Sequence, residues 1–289
     1  MTRIWEDAFH TYIPSQPEIQ LNTDSYVQLH PDKLFPDDIS IFYQFKTNEN
    51  SIHSLFLIPD GCFDILFCCN PFNPTVILWT SPLQRRIQPN FQTNCEYFGI
   101  RFLPEQGLIK LNNSMKELLD QQIPLFDVFS GGINIVEEIG EASTFEERIE
   151  IFNNYIMRHH CGEEEYDHKI IRYSIREIYT TNGGGSISDL AEKIGYTDRY
   201  IRKKFEEMIG FSPKQFSQII RFQKSVKTIL HTPNSDYLKI TEENGYYDQT
   251  HFNKGFKKFM QLTPTQYKNR TMGTVPMVGT NALKGASVK

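Results

Sequence analysis

Between Phe205 and Phe256 the chain repeats itself. Gly195, Phe205, Pro213 and Phe216 return as Gly245, Phe256, Pro264 and Tyr267. In both copies the Phe precedes the Pro by eight residues and the second aromatic by eleven. One residue is inserted between Gly and Phe in the second copy. Such spacing, punctuated by Gly and Pro, describes one small helical unit used twice. Each copy reads as a helix-turn-helix, a unit that places its second helix in a DNA groove.

Charge supports that reading. Residues 186–270 carry 15 Lys and Arg against 9 Asp and Glu, a balance of +6. Residues 1–185 carry 13 against 26, and the last nineteen residues add +2, giving −5 overall. A basic helical module on an acidic body fits a nucleic-acid contact confined to one end. The first ten residues contain acids where a secretory segment needs an apolar run, and no stretch of eighteen apolar residues occurs. Five cysteines without a regular framework suit a reducing compartment. The expectation is a cytoplasmic protein with no membrane contact.

From about Tyr26 to Phe102 the sequence reads as short strands. Segments 39–45, 55–58, 63–68, 76–79 and 97–102 are rich in β-branched and aromatic residues. Turn signals separate them: Pro59-Asp-Gly61, Asn70-Pro71, Asn73-Pro74 and Ser81-Pro82. Several short strands at this spacing suggest a barrel or sandwich. Past Pro104 the pattern turns helical. Met115, Leu118 and Leu119 mark one short helix, and Phe145, Ile149, Phe152 and Ile156 a longer one. The acidic run Glu163-Glu-Glu165 marks a boundary. Ile170, Ile171, Ile175 and Ile178 form the next stripe, which ends before Gly183-Gly-Gly185. Three glycines there read as a flexible joint, with Ser186 or Ser188 capping the following helix. Residues 273–289 lack periodicity and read as a disordered tail.

In the first unit Ile187, Leu190, Ala191 and Ile194 form a buried face and Gly195 the turn. The second helix opens near Thr197 or Asp198 and turns Ile201, Phe205 and Met208 inward. Arg199, Arg202 and Lys203 then project from its N-terminal half, the part that reaches base edges. A long helix from Ser212-Pro213 to about Leu230 is the spacer. In the second unit residues 237–244 form the supporting helix, and Phe252, Phe256 and Phe259 face inward. Gln249, Thr250, His251, Asn253 and Lys254 face outward. Asn and Gln suit adenine, and Arg or Lys suits guanine. Lys204, Lys257, Lys258, Lys268 and Arg270 are candidates for phosphate contact, which adds affinity and salt dependence.

These residues resemble the DNA-binding domain of the AraC/XylS family of bacterial transcription regulators. The resemblance rests on Leu190-Ala191, Gly195, Ile201-x-Lys203-x-Phe205, Gly210-x-Ser-Pro213, Arg221-Phe222 and Leu230. In the second half it rests on Gly245-Tyr246, Asp248, Phe252-x-Lys254-x-Phe256-Lys-Lys258, Thr263-Pro264 and Tyr267. It covers residues 166–270 and implies two recognition helices in adjacent major grooves. The positions matching those readers are Arg199, Arg202, Lys203, Gln249, Thr250, His251, Asn253 and Lys254. Departures are Lys203 and Lys254 where Arg is frequent, Gln261 for a Gly, Ser225 for a small apolar residue, and Thr241 for Ala. The N-terminal half resembles a sensor domain of some members through Ile58-Pro-Asp-Gly-Cys-Phe-Asp-Ile-Leu66, Gly99-Ile-Arg-Phe-x-Pro104, Leu118-Leu-Asp120 and Ile123-Pro-Leu125. That resemblance implies a cupin-like β-barrel, effector sensing and often dimerisation.

Other chemistry is weaker. Cys62, Cys68, Cys69 and Cys95 lack a Cys-x-x-Cys pair and fall within strands, which favours buried structural cysteine over a metal or methyl-acceptor site. His30 and His53 lack the clustered spacing of a metal-binding cupin. Asp60 and Asp64 suit turn capping better than acid–base work. Arg101, amid Tyr97, Phe98, Ile100 and Phe102, needs a partner. An internal carboxylate is the bland partner and an anionic effector the sharper one, with Trp79 and Tyr97 lining the same pocket. Gly183-Gly-Gly185 lacks the Lys-Ser/Thr of a phosphate loop.

The expectation is an α+β protein that is not an enzyme and needs no cofactor or metal. Residues 1–110 form a β-rich, cupin-like sensor or dimerisation domain and 111–165 a helical connector. Residues 166–270 form an all-α domain of two helix-turn-helix units, and 271–289 the tail. Expected partners are double-stranded DNA, a small-molecule effector, RNA polymerase and a second copy as a homodimer. The alternatives are an effector-free DNA-binding dimer and a DNA-tethered cupin-like enzyme or repair protein.

Overall fold

The computed structural model describes residues 12–31, 35, 37–49, 55–87, 91–129, 134–159, 166–231 and 237–272. The expected tail from residue 273, the acidic run Glu163-Glu-Glu165 and His53 lie outside them; Thr271 and Met272, expected in the tail, instead end a helix, and Thr271 is buried. Strand β2 (Ile39–Lys46) belongs to the main sheet of the N-terminal half. A six-stranded antiparallel sheet runs in the order β1 (Asp24–Leu29), β2, β7 (Glu96–Phe102), β4 (Phe63–Cys68), β5 (Thr75–Thr80) and β8 (Gln122–Pro124). A separate pair joins β3 (Phe56–Leu57) to β6 (Arg86–Ile87).

The barrel expectation is corrected here. Among the described residues β1 and β8 are open edges, and no pairing joins them or joins the small sheet to the large one. Segments 39–45, 55–58, 63–68, 76–79 and 97–102 fall on β2, β3, β4, β5 and β7, but periodicity within a strand does not say whether its sheet closes on itself.

The period-2 alternation of the strands sorts side chains onto two buried faces. Phe42, Phe63, Ile65, Phe67, Phe98, Ile100 and Phe102 point to one core. Helices α3 (Asn134–Glu141) and α4 (Phe145–His159) cover it through Ile135, Val136, Ile139, Ile149, Phe152 and Ile156. Arg148 ties α4 down, donating to the carbonyls of Ile139 and Ala142 and pairing with Glu96 at 2.6 Å. On the opposite face Ile41, Tyr43, Phe45, Leu66, Trp79 and Tyr97 pack with Leu55 and Leu57. Ile19 of α1 (Pro17–Leu21) joins them.

Arg101 stands on that second face with the bland partner the sequence allowed. Its Nε and Nη2 reach the two carboxylate oxygens of Asp64 at 2.8 and 2.7 Å, and Asp60 lies at 3.9 Å. Tyr43 donates to Asp64 at 2.6 Å. A bidentate pair is a form in which a buried charge is tolerated. Nearby carboxylates hold the Arg101 guanidinium charged although burial opposes it.

The C-terminal half is helical: α5 (Tyr166–Thr180), α6 (Ile187–Ile194), α7 (Asp198–Ile209), α8 (Pro213–His231), α9 (Tyr237–Glu243), α10 (Gln249–Met260) and α11 (Pro264–Met272). One core gathers Ile171, Ile175 and Ile178 of α5 with Phe205, Phe216, Phe222, Phe252, Phe256 and Tyr267. No helix among the described residues is long and apolar enough to cross a membrane.

The expected glycine joint is a second correction. Gly183 adopts φ +75°, donates to the Ile178 carbonyl at 2.8 Å, and lies where a Cβ would sit 2.3 Å from the Ser217 carbonyl oxygen. Thr181 Oγ1 accepts from Gly185 N–H at 3.2 Å. The glycines permit a tight helix ending against α8, not a loose hinge.

The two halves are also locked together. Gln223 of α8 donates to the Pro59 carbonyl at 2.7 Å and accepts from the Ser15 N–H at 2.8 Å. Gly61 turns at φ +77° against the ring of Phe216. Tyr179 of α5 stacks on Tyr12 and donates to the buried carboxyl of Glu105 at 2.9 Å. Helix α2 (Met115–Leu118) lies against the end of α7, where Lys116 meets Glu206 at 2.7 Å.

Candidate nucleic-acid interface

Each unit is built from local signals. In the first, Ser186 caps α6 by accepting from Asp189 N–H, and Gly195 ends it in the left-handed conformation at φ +75°. Thr197 then caps α7, accepting from Tyr200 N–H. In the second, Gly245 turns at φ +71°, and Asp248 caps α10 by accepting from His251 N–H at 2.6 Å. Oxygen caps satisfy amides that the first helical turn leaves free. Ile201 and Phe205 face inward from α7, with Ile209 as the third fully buried residue and Met208 half-buried. The sequence expected Met208 in that place; the helix turns its last position slightly further. Phe252, Phe256 and Phe259 bury themselves from α10 as expected.

The spacer α8 contributes Phe216, Ile219, Ile220, Phe222, Val226 and Ile229 to one core shared by both units. The departures from the family pattern have local explanations. Ser225 donates to the Arg221 carbonyl and accepts from Asn244 of the second unit. The Thr241 hydroxyl is satisfied by the Tyr237 carbonyl at 2.6 Å. Gln261 takes the left-handed cap at φ +61° without being Gly. Its amide donates to Lys258 O and to Gln84 of the N-terminal half.

The outward residues fall into two groups. Arg199, Arg202 and Lys203 are exposed on the N-terminal half of α7, and Gln249, Thr250, Asn253 and Lys254 on that of α10. Lys203 has only a loose 3.7 Å pairing with Glu207. His251 is exposed too, but its Nδ1 accepts from Tyr247 N–H at 3.3 Å, which leaves Nε2–H as its outward donor. Both helix N-termini also carry the partial positive charge of the helix dipole.

The phosphate candidates divide differently. Lys257 and Lys258 are exposed, the latter bonded to Gln218 at 3.0 Å. Lys204 is engaged by Asp167 at 3.0 Å and Glu207 at 3.2 Å, and hydrogen bonding to Asp167 raises its pKa. Tyr200 donates to the same Asp167, which lowers that carboxyl's pKa. Lys268 lies over the Tyr237 ring and Arg270 over the Phe56 ring. Lys204 and Lys268 are partly buried, whereas Arg270, Lys257 and Lys258 are exposed.

The N-terminal half touches both units at the C-terminal ends of α7 and α10. Gly210, the cap of α7, abuts the Met115 carbonyl, and Arg85 N–H donates to the Phe259 carbonyl of α10. Arg85 is itself held by Glu18 at 2.8 Å and stacked on Phe56. Sequence reasoning had no signal for this bracing, since its partners lie far apart in the chain.

Of the effector-pocket candidates, Trp79 and Tyr97 lie in one aromatic cluster with Phe45 and Phe91. The buried Trp79 Nε1–H has no hydrogen-bond partner among the described residues. Arg101 lies on the same sheet face, engaged with Asp64.

Residues 190–270 match the family described as a helix-turn-helix domain. Over 68 residues the chain is 34% identical to the HTH-type transcriptional regulator MtrA of Neisseria gonorrhoeae, covering 24% of this chain and 22% of MtrA. The C-terminal half carries an AraC-type helix-turn-helix domain. The AraC-type domain is also 28% identical over 86 residues to the lactose operon transcription activator of Staphylococcus xylosus, covering 29% of this chain and 30% of that protein. The chain thus spans under a third of the length of these curated relatives. Residues 27–124 match a family described as a domain of unknown function, DUF6597. Among solved structures, an apo form of a ToxT variant from Vibrio cholerae aligns with 86% of this chain and 98% of its own, at 14% identity and a TM-score of 0.42.

Proposed function

We propose that this protein is a DNA-binding transcription regulator that reads an operator with both units at once. The observation that carries the reading is the pair of exposed, cationic and amide-bearing helix starts, α7 and α10, fixed on one spacer. Arg199, Arg202 and Lys203 read bases in one major groove; Gln249, Thr250, His251, Asn253 and Lys254 read them in the next. Lys257, Lys258, Lys268 and Arg270 supply phosphate contacts and most of the salt dependence, and Lys204 supplies less because two carboxylates engage it. The matched relatives are transcription regulators rather than enzymes, which supports the same reading.

The N-terminal half is the sensing or self-associating part in this account, and the protein works in the cytoplasm. An effector acts by population shift: a ligand favouring one packing of the sheet against α8 and α10 changes how well both units fit the duplex together. The aromatic cluster with the unpaired Trp79 N–H is its proposed seat, and RNA polymerase and a second copy are the proposed macromolecular partners. Selection from random duplexes by the purified full-length protein tests the central reading. Enrichment of one sequence supports it; uniform recovery of all sequences refutes it. A metabolite panel scored by thermal shift, repeated with Trp79→Phe, tests the effector seat.

A further inference from the structure

Two thiols outside the DNA interface lie unusually close. Cys68 ends β4, and Cys95 precedes β7 on the neighbouring strand; their Sγ atoms are 2.8 Å apart. That is well inside an ordinary non-bonded separation of two sulfurs and within one short movement of a disulfide bond. The backbone around them is pinned. Thr47 Oγ1 accepts from Cys95 N–H at 3.1 Å, Cys95 O accepts from Thr47 N–H at 2.9 Å, and Glu96 O accepts from Cys69 N–H at 2.8 Å. Both cysteines are buried, but each lies at the rim of the sheet. Gln92, Thr93 and Asn94 before Cys95 are exposed, and so are Pro71, Phe72 and Asn73 beyond Cys68.

We propose that Cys68 and Cys95 are a peroxide-oxidisable dithiol that closes to an intramolecular disulfide across β4 and β7. The Cys68 thiolate attacks one oxygen of hydrogen peroxide. The O–O bond breaks, hydroxide leaves and takes a proton to become water, and Cys68 becomes a sulfenic acid. The Cys95 sulfur then attacks the Cys68 sulfur, the S–O bond breaks, and a second water leaves with the Cys95 proton. Two thiols lose two electrons and the peroxide gains them. The contact with Cys95 lowers the pKa of the Cys68 thiol, which favours its thiolate. The same contact pushes Cys95 up, and burial pushes the adjacent Cys69 up to about 12. Either sulfur can donate in this contact, so the same disulfide forms whichever of the two is oxidised first. The bond would end in the aromatic cluster of Phe91, Tyr97 and Trp79, with which both cysteines already pack.

The test uses the full-length protein, reduced, desalted, treated with hydrogen peroxide and then mapped by mass spectrometry after alkylation without reductant. The expected product is a peptide pair joined through Cys68 and Cys95, lighter by two hydrogens and separated by dithiothreitol. Cys62 and Cys69 remain alkylated. In Cys95→Ser the cross-link disappears and a sulfenic-acid reagent labels Cys68. Free Cys68 and Cys95 after a peroxide dose that oxidises a small-molecule thiol would overturn the proposal. A disulfide drawn instead from Cys62, Cys69 or Cys161 would overturn it equally. Because wild-type mapping alone decides between these outcomes, poor folding of the variant does not obscure the answer.

Discussion

Glu105 offers a quantitative test of the packing between the two halves. It follows β7 in a turn, is 6% exposed, and accepts from Tyr179 of α5 at 2.9 Å. Burial raises its pKa from 4.5 to about 7, against the lowering effects of its own backbone amide, Tyr179, Arg172 and Arg176. A carboxyl with a raised folded pKa binds its proton more tightly folded than unfolded. Its contribution is therefore intact below about 4.5 and is lost as pH rises toward about 7. One pKa unit is worth about 1.4 kcal/mol, so the loss tops out at roughly 3 kcal/mol. Glu105→Gln keeps the acceptor for Tyr179 and has no proton to lose. Urea unfolding of wild type and variant should give similar stabilities at pH 4.5, with the variant ahead by up to ~3 kcal/mol at pH 8. A gap that stays flat across that range, or a wild type that gains on the variant above pH 7, would refute the reasoning.

Three further outcomes follow from named contacts. Gly183→Ala places a methyl on the Ser217 carbonyl at a positive φ and should destabilise the protein by about 1–3 kcal/mol in the same urea assay. Asp248→Ala removes the cap of α10 and should cost about 1 kcal/mol of stability; operator affinity should fall with it, because the base-reading turn frays. Lys254→Ala should change base preference in a competition assay, whereas Lys258→Ala should mainly flatten the salt dependence of binding by about one counterion. Equal, sequence-independent losses in both lysine variants would contradict that division.

Much of the chain was legible because local periodicity dictated it. Ile39–Lys46, Phe63–Cys68 and Glu96–Phe102 alternate between two buried faces, and that alternation is written in the sequence as β-branched and aromatic runs. The two helical units were equally plain, since Gly195, Thr197, Gly245 and Asp248 perform the turns and caps their chemistry suggests. Strand β1 and helix α1 were missed: β1 is almost wholly exposed and α1 has five residues, so neither carries a strong pattern. Sheet closure was misjudged because it depends on which edges meet. The Gly183 segment was read as loose because composition reports freedom in the unfolded chain; Ser217 takes that freedom away in the folded one. The partners of Arg101, Gln223 and Glu105 were hidden for the same reason: each lies far away in sequence, and only the fold brings it near.

The central claim is that α7 and α10 read one duplex together, held at a fixed separation by α8 and by the N-terminal half braced against both. It is tested most directly by lengthening the selected operator between its two contacted elements and measuring the affinity of the full-length protein. A half-turn insertion of about 5 bp rotates one element to the opposite face of the duplex. The account predicts that this insertion reduces affinity to the level of unrelated DNA, and that restoring the original spacing restores binding. Affinity indifferent to the insertion would mean that one unit reads DNA alone, and would contradict it.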